Sequence, residues 1–150
     1  MRLTLDTNVL VSAFISKNGQ AAALLDAILL LPDARLILSE PILNEFEAVL
    51  SRAEVRARFQ YSIEEVAEVI DQIKRASIMV QITSNFRVVK ADPSDDIIIN
   101  TSWDGQADYI VSGDDHLKKL KKFRSVRIVT PSSMLSIIGR KFGEFIAGEL

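Results

Sequence analysis

A chain of 150 residues, 48% hydrophobic and 25% charged, is long enough for one domain with a sizeable core and too apolar to be disordered. Its formal net charge of -2 excludes bulk electrostatic attraction to nucleic acid, though not a local basic patch. The lack of cysteine excludes disulfides and zinc–thiolate sites and fits a reducing compartment.

The first element is the apolar strand pattern LTL at 3–5, which runs into Asp6, Thr7 and Asn8. A helical apolar pattern starts near Asn8, and a second helix spans Gln20 to Leu31, closed by Pro32. Its run AAALLDAILLL is too short to cross a bilayer and carries Asp26. No targeting segment precedes Asp6, so a cytoplasmic protein with no membrane partner is expected. RLIL at 35–38 is the next strand. Ser39 is placed to cap a helix with Pro41 in its first turn, running to about Arg52. Ser62 and Glu65 form a capping-box pattern for a helix to about Ala76. SIMVQIT at 77–83 is a weaker strand candidate, and Asp92–Pro93 opens a helix to about Trp103. DYIV at 108–111 and VRIV at 126–129 are strands, separated by the charge run HLKKLKKFR at 116–124. Pro131 opens the last helix, and residues 139–150, with three glycines, form a tail prone to fray.

The strands are rich in Leu, Ile and Val and do not alternate, as expected of strands covered on both faces. Strands alternating with helices predict an α/β sandwich with a mostly parallel sheet, built as a single domain over 1–150.

In such a sheet, ligands bind beyond the carboxyl ends of the strands. Asp6 follows the first strand, and Asp114 follows DYIVSG. Asp95 and Asp96 stand at a helix start, and Glu45 borders the apolar stripe Pro41, Ile42, Phe46, Val49 and Leu50. Converging acids would raise one another's pKa and strain the fold. A divalent cation reverses that, and an all-oxygen donor set suits Mg²⁺ or Mn²⁺. The competing reading is local. Asp6 and Asp114 could cap the helices that follow them, Asp92 could cap before Pro93 with Asp95 completing a capping box, and Glu45 could be a surface residue. That assignment leaves Asp96 as the better ligand of the pair.

The segments LDTNVLVSAF, SEPILNEFEAVL and DPSDDIIINTSWDGQADYIVSGDDHL resemble, in order and spacing, the four acidic motifs of PIN domains. The resemblance runs from Leu3 to about Ser133 and is nearest to bacterial and archaeal toxin components of toxin–antitoxin pairs. It implies a three-layer α/β/α sandwich, one or two Mg²⁺ or Mn²⁺ ions, and hydrolysis of RNA. Asp6, Glu45, Asp96 and Asp114 fall on the four family acids. The resemblance makes Asp6, Asp96 and Asp114 metal ligands, with Glu45 acting through a water or a second ion. Asp95 is the substitute ligand. Thr7, Asn8 and Ser112 match supporting positions. Position 100 departs from the pattern, since Asn100 stands where many relatives carry an acid. Asp92 and Asp115 are near but not primary ligands.

The resemblance also implies an antitoxin protein partner and a homodimer. Such an antitoxin would cover the acidic pocket with basic side chains. Lys118, Lys119, Lys121, Lys122 and Arg124 could track an RNA backbone or form a solvated helix face. Arg52, Arg56 and Arg58 form a weaker second patch. His116, the sole histidine, reads as a surface residue at a helix start. Phe46, Phe59, Phe86 and Trp103 read as core. The competing function is a PIN-like module that binds RNA or protein and cuts little. A dehalogenase-type phosphatase would require an acid where Asn8 stands, and receiver-domain spacing is not apparent.

Overall fold

The computed structural model describes residues 1–149, with residue 142 and residues 144–149 by backbone alone. In chain order the elements are β1 (Arg2–Leu5), α1 (Thr7–Ile15), α2 (Gln20–Leu30), β2 (Arg35–Leu38), α3 (Glu40–Leu50), α4 (Ala53–Phe59) and α5 (Ile63–Ala76). There follow β3 (Ser77–Met79), α6 (Asp95–Asp104), β4 (Tyr109–Val111), α7 (Asp115–Leu120), β5 (Lys122–Phe123), β6 (Val126–Val129) and α8 (Pro131–Glu149). One sheet holds the strands in the order β3–β2–β1–β4–β6–β5. Its pairs are parallel except β5 with β6. This is the expected α/β sandwich.

Burial explains why the strand sequences lack alternation. Leu3, Thr4 and Leu5 in β1, and Leu36, Ile37 and Leu38 in β2, are each at most 1% exposed. Successive strand residues point to opposite faces, so both faces of the sheet are covered at β1 and β2; β6 departs from the expectation, with Arg127 exposed between the buried Val126 and Ile128. The strand order turns back at β1, which has β2 on one side and β4 on the other. The carboxyl ends of β1 and β4 therefore flank a switch point in the strand order, the place where ligands bind in open α/β sheets, and this edge is termed the crevice.

The helix that matters most for that crevice is α6, which lies against β1, β2 and β4. Small buried residues let it approach. Thr4, Ser39, Thr101 and Ser102 are fully buried, and the hydroxyls of Ser39 and Thr101 meet at 2.8 Å. Gly105 ends the helix, where a Cβ would collide with Ile37 Cγ2 and come within 2.9 Å of Val80 Cγ2. On α5 Ser62 caps the helix as expected, its Oγ accepting from Glu65 N at 3.1 Å, though the return bond of a full capping box is not among the hydrogen bonds of the described residues; Val66, Ile70 and Ile73 face the core.

Three elements differ from expectation. The strand candidate at 77–83 ends at Met79, because residues 83–89 bond to side chains of α6 instead of a neighbouring strand. The charge run contains β5, a two-residue edge strand. The helix α4 buries none of its residues, so it left no periodic apolar signal to read. The segment set apart as a tail is helical through Glu149, and Leu150 lies outside the described residues. No described helix is long and apolar enough to cross a membrane.

Candidate active site

Asp6 occupies the N-cap position of α1, but its carboxylate does not cap the helix. The backbone does that work: Asp6 O accepts from Val9 N and Leu10 N, while Asp6 N donates to Val111 O on β4 at 2.9 Å. Its side chain is released to face the crevice's polar residues. Oδ2 accepts a 2.6 Å hydrogen bond from Ser112 Oγ. Asp6 is only 5% exposed. Burial raises its pKa, the Ser112 bond opposes the rise, and the charges of Asp114 and Glu45 add to it.

Ser112 ties two acids together. The same hydroxyl that donates to Asp6 accepts from Asp114 N at 3.0 Å. Asp114 is also a true N-cap, its Oδ1 taking His116 N at 2.7 Å and Leu117 N at 3.3 Å. Both readings of Asp114 can hold at once, since capping engages one oxygen. Glu45 is exposed at the rim, where its Oε2 accepts from Thr7 Oγ1 at 3.1 Å. Thr7 is buried and Asn8 exposed.

The adjacent aspartates of α6 part company. Ser94, not Asp92, is the N-cap residue, and Asp92 closes its own turn onto Ser94 N and Oγ. These bonds, the hydroxyl's first, lower the Asp92 pKa. No capping box therefore draws in Asp95. Asp95 is 6% exposed and its Oδ2 has no hydrogen-bond partner. Burial, then the charges of Asp114, Asp92, Asp6 and Glu45, push its pKa up to about 7. Asp95 thus feels all the other acids of the crevice. Asp96 is turned away: its Oδ1 accepts from Val88 N at 2.9 Å and Val89 N at 2.8 Å.

Asn100 shares the Asp96 face. Its Oδ1 accepts from Ser84 Oγ and Phe86 N, and its Nδ2 donates to the Phe86 and Asp96 carbonyls. Asp104, one turn on, accepts from Thr83 N and Ser84 N. Burial would raise its pKa, yet these bonds leave it lowered. Positions 96, 100 and 104 recur every four residues, so they form one stripe that laces residues 83–89 onto the helix. The departure at Asn100 therefore concerns this lacing and not the crevice.

The crevice gathers Asp6, Glu45, Asp95 and Asp114, with Thr7 and Ser112 in support. Among the described residues, no three acidic or histidine side chains stand at coordinating distance from one point. The acids share an edge and act on one another through their charges. An all-oxygen donor set with an orphaned buried carboxylate oxygen fits an oxygen-preferring divalent cation. The sequence signal that could have separated the surroundings of Asp95 and Asp96 is the 96–100–104 stripe, which sets Asp96 on the face that holds residues 83–89.

The basic run is divided between two consecutive elements, α7 and the β5–β6 hairpin. Lys118 pairs with Asp115 at 3.2 Å on α7, while Lys122 and Arg124 lie on and after β5. Arg52 and Arg58 are exposed, and Arg58 stands 5.2 Å from the Phe59 ring centroid. His116 is exposed. Phe46 is fully buried as expected, but Phe86 and Trp103 are only half-buried and Phe59 is 39% exposed.

A family model for the PIN domain matches residues 2–116. No curated protein matches the chain. Among solved structures, the fold is similar to a chain in the crystal structure of VapBC2 from Rickettsia felis, solved bound to a DNA fragment from their promoter. The TM-score is 0.60 at 13% identity, covering 87% of this chain and 98% of that one.

Proposed function

Because the chain belongs to the PIN domain family, whose members are in general nucleases, we propose that it is a divalent-metal-dependent endoribonuclease and the toxin of a toxin–antitoxin pair. The observation that carries the reading is Asp95, a buried carboxylate with an unpartnered oxygen in the field of four other acids. A fold holds such a group either by letting its pKa rise until it is protonated or by supplying a partner that offsets its charge, and a divalent cation would be that partner.

Asp6, Asp95 and Asp114 would hold Mg²⁺ or Mn²⁺, with Glu45 completing the donor set through water or at a second ion. Asp95 takes the place that the motif reading gave to Asp96. When bound, such an ion supplies an activated water and offsets charge on the transferring phosphoryl group. The chain's own residues prepare the site. Ser112 fixes the Asp6 carboxylate and the Asp114 backbone with one hydroxyl. Thr7 holds Glu45 from the turn after Asp6. No side-chain nucleophile is required of the residues present.

The Rickettsia felis structure contains a VapBC2 assembly, which supports an antitoxin partner here. We place that partner over the acidic edge, with basic side chains against these carboxylates, in a cytoplasmic complex that also allows a homodimer. A second reading, a PIN fold that binds RNA or protein and cuts little, is favoured by one fact. The acids do not stand at coordinating distance as they are, among the described residues.

Thermal melts in EDTA, Mg²⁺ and Mn²⁺ separate the two. A ligand that binds only the folded state raises its midpoint through RT ln(1 + [L]/Kd). Mn²⁺ should raise the wild-type and Asp96→Asn midpoints and leave Asp6→Asn and Asp95→Asn unmoved, and only the responsive proteins should cut RNA. A wild type that ignores both metals and leaves RNA intact would hand the case to the binding module.

A further inference from the structure

We infer that the β5–β6 hairpin is a contact for single-stranded RNA, with a base stacking on Arg124 and phosphates held by Lys121, Lys122 and Arg127. The choice of RNA over another polyanion rests on the ribonuclease reading.

The hairpin is built against its own stability. Lys121 and Arg124, neither a glycine, take positive φ of 60° and 52°, a conformation side chains rarely adopt. Lys122 is the register partner of Arg127, so two exposed cations face each other across an antiparallel pair. Like charges directly opposite are destabilising. The ion pairs among the described residues are Lys74–Glu40 and Lys118–Asp115, and neither relieves this one. The buried Val126 and Ile128 anchor β6 without help from any of these cations.

What the strain positions is a surface with two kinds of donor. The exposed Arg124 guanidinium stands 4.6 Å from the Phe86 centroid, 4.9 Å from Trp103 and 5.5 Å from Phe123. Those rings pack edge to face at 5.0–6.0 Å. Arg127 repeats the arrangement at 5.8 Å over Tyr109. A guanidinium already pinned over rings loses little freedom when a base stacks on it. Cations beside a stacking surface are what a single strand uses, whereas an acidic peptide needs only the charge.

The placement suits a strand that also reaches the acids. Lys122 lies opposite Arg127, which lies beside Tyr109 at the amino end of β4, while the acids sit at the carboxyl ends. The six residues of α7 bridge the two, about 9 Å of helix carrying Lys118 and Lys119.

The test is fluorescence anisotropy with a labelled single-stranded RNA of about 12 nucleotides, in EDTA so that binding is separated from cleavage. Arg124→Ala should weaken binding about tenfold in a protein that stays fully folded at the assay temperature, its melting midpoint lowered by no more than a few degrees for the lost ring contacts. Arg124→Lys should lose nearly as much affinity but keep the salt dependence, since it keeps the charge and loses the stack. Lys122→Ala/Arg127→Ala should lower the slope of log K against log salt by about 1.4. The inference is overturned if the wild type does not bind the RNA. It is overturned equally if Arg124→Ala binds like wild type, or if an oligoglutamate binds as tightly with the same Arg124 dependence. Binding that depends on Arg124 in a protein that never cuts with Mn²⁺ would retire the nuclease reading and leave this surface standing. Cleavage without that dependence would do the reverse.

Discussion

Asp95 and Asp96 are neighbours in the first turn of α6, and they end in opposite states. Asp96 spends its oxygen on two backbone N–H groups, and with Asn100 and Asp104 it binds residues 83–89 to the helix. Asp95, about 100° around the same helix, is more deeply buried and has an oxygen with no partner. The Asp104 pKa is lowered by its bonds, and the Asp95 pKa is raised to about 7. Acids on one face of α6 are satisfied by the fold; the acid on the other is held there at the fold's cost. Structural carboxylates carry their own donors, and a carboxylate without them points to a ligand that arrives later.

Removing each acid should therefore shift stability in opposite directions. The larger effect belongs to Asp96→Ala. It strands the Val88 and Val89 N–H groups, and bonds to a charged acceptor are worth roughly 1.5–3 kcal/mol each, so a loss of about 3 kcal/mol is expected in urea melts. Mn²⁺ should still stabilise what remains folded. Asp95→Asn should do the reverse, stabilising the metal-free protein at pH 8 while abolishing the Mn²⁺ response. At full strength its pKa separation would be worth roughly 4 kcal/mol. Water at the mouth of the crevice screens it, and a gain of about 2 kcal/mol is expected. If both variants lose stability alike, the two faces do not differ in the way their bonds indicate.

The pH dependence sharpens the same contrast. A carboxyl whose pKa is raised on folding binds its proton more tightly in the folded state, so stability falls as pH rises from the unfolded value near 3.8 to about 7. Asp6 contributes in the same direction. Asp104 works oppositely, since its lowered pKa gives stability that is lost as acid protonates it. Metal-free wild type should thus be more stable at pH 5 than at pH 8, and Asp95→Asn should flatten most of that difference. A wild-type curve that rises between those pH values would contradict the burial assigned to Asp95.

Much of this was legible in the sequence because it is set by local chemistry. Runs rich in Leu, Ile and Val placed β1, β2, β4 and β6, and Ser62–Glu65 marked the start of α5. That Asp6 and Asp114 lie at one sheet edge follows from strand ends alone. The different surroundings of Asp95 and Asp96 were not legible from capping rules, which gave Asp95 to a box with Asp92. Ser94 took the cap position, and the helix turned with it. The lacing of residues 83–89 needs the tertiary approach of an irregular segment, which has no period of its own. Likewise, β5 is invisible in a run of lysines because an edge strand of two residues is specified by its partner, Val126–Arg127, and not by its own composition.

The smallest expected effect tests whether an unpartnered oxygen is by itself a sign of function. Thr4 Oγ1 is also buried without a hydrogen-bond partner, in the middle of β1 under α6. It differs from Asp95 in one respect: it carries no charge, so its isolation costs little and calls for no ion. Thr4→Val keeps the shape and removes the stranded hydroxyl, and should be neutral or stabilising by up to about 1 kcal/mol. The Mn²⁺ response and its dependence on Asp95 should be untouched. A loss of metal stabilisation in Thr4→Val would mean that the β1 backbone, and not the carboxylate charge, sets the geometry of the edge. An unchanged response would leave the charge of Asp95 as the feature that separates an unsatisfied site residue from a merely imperfect core.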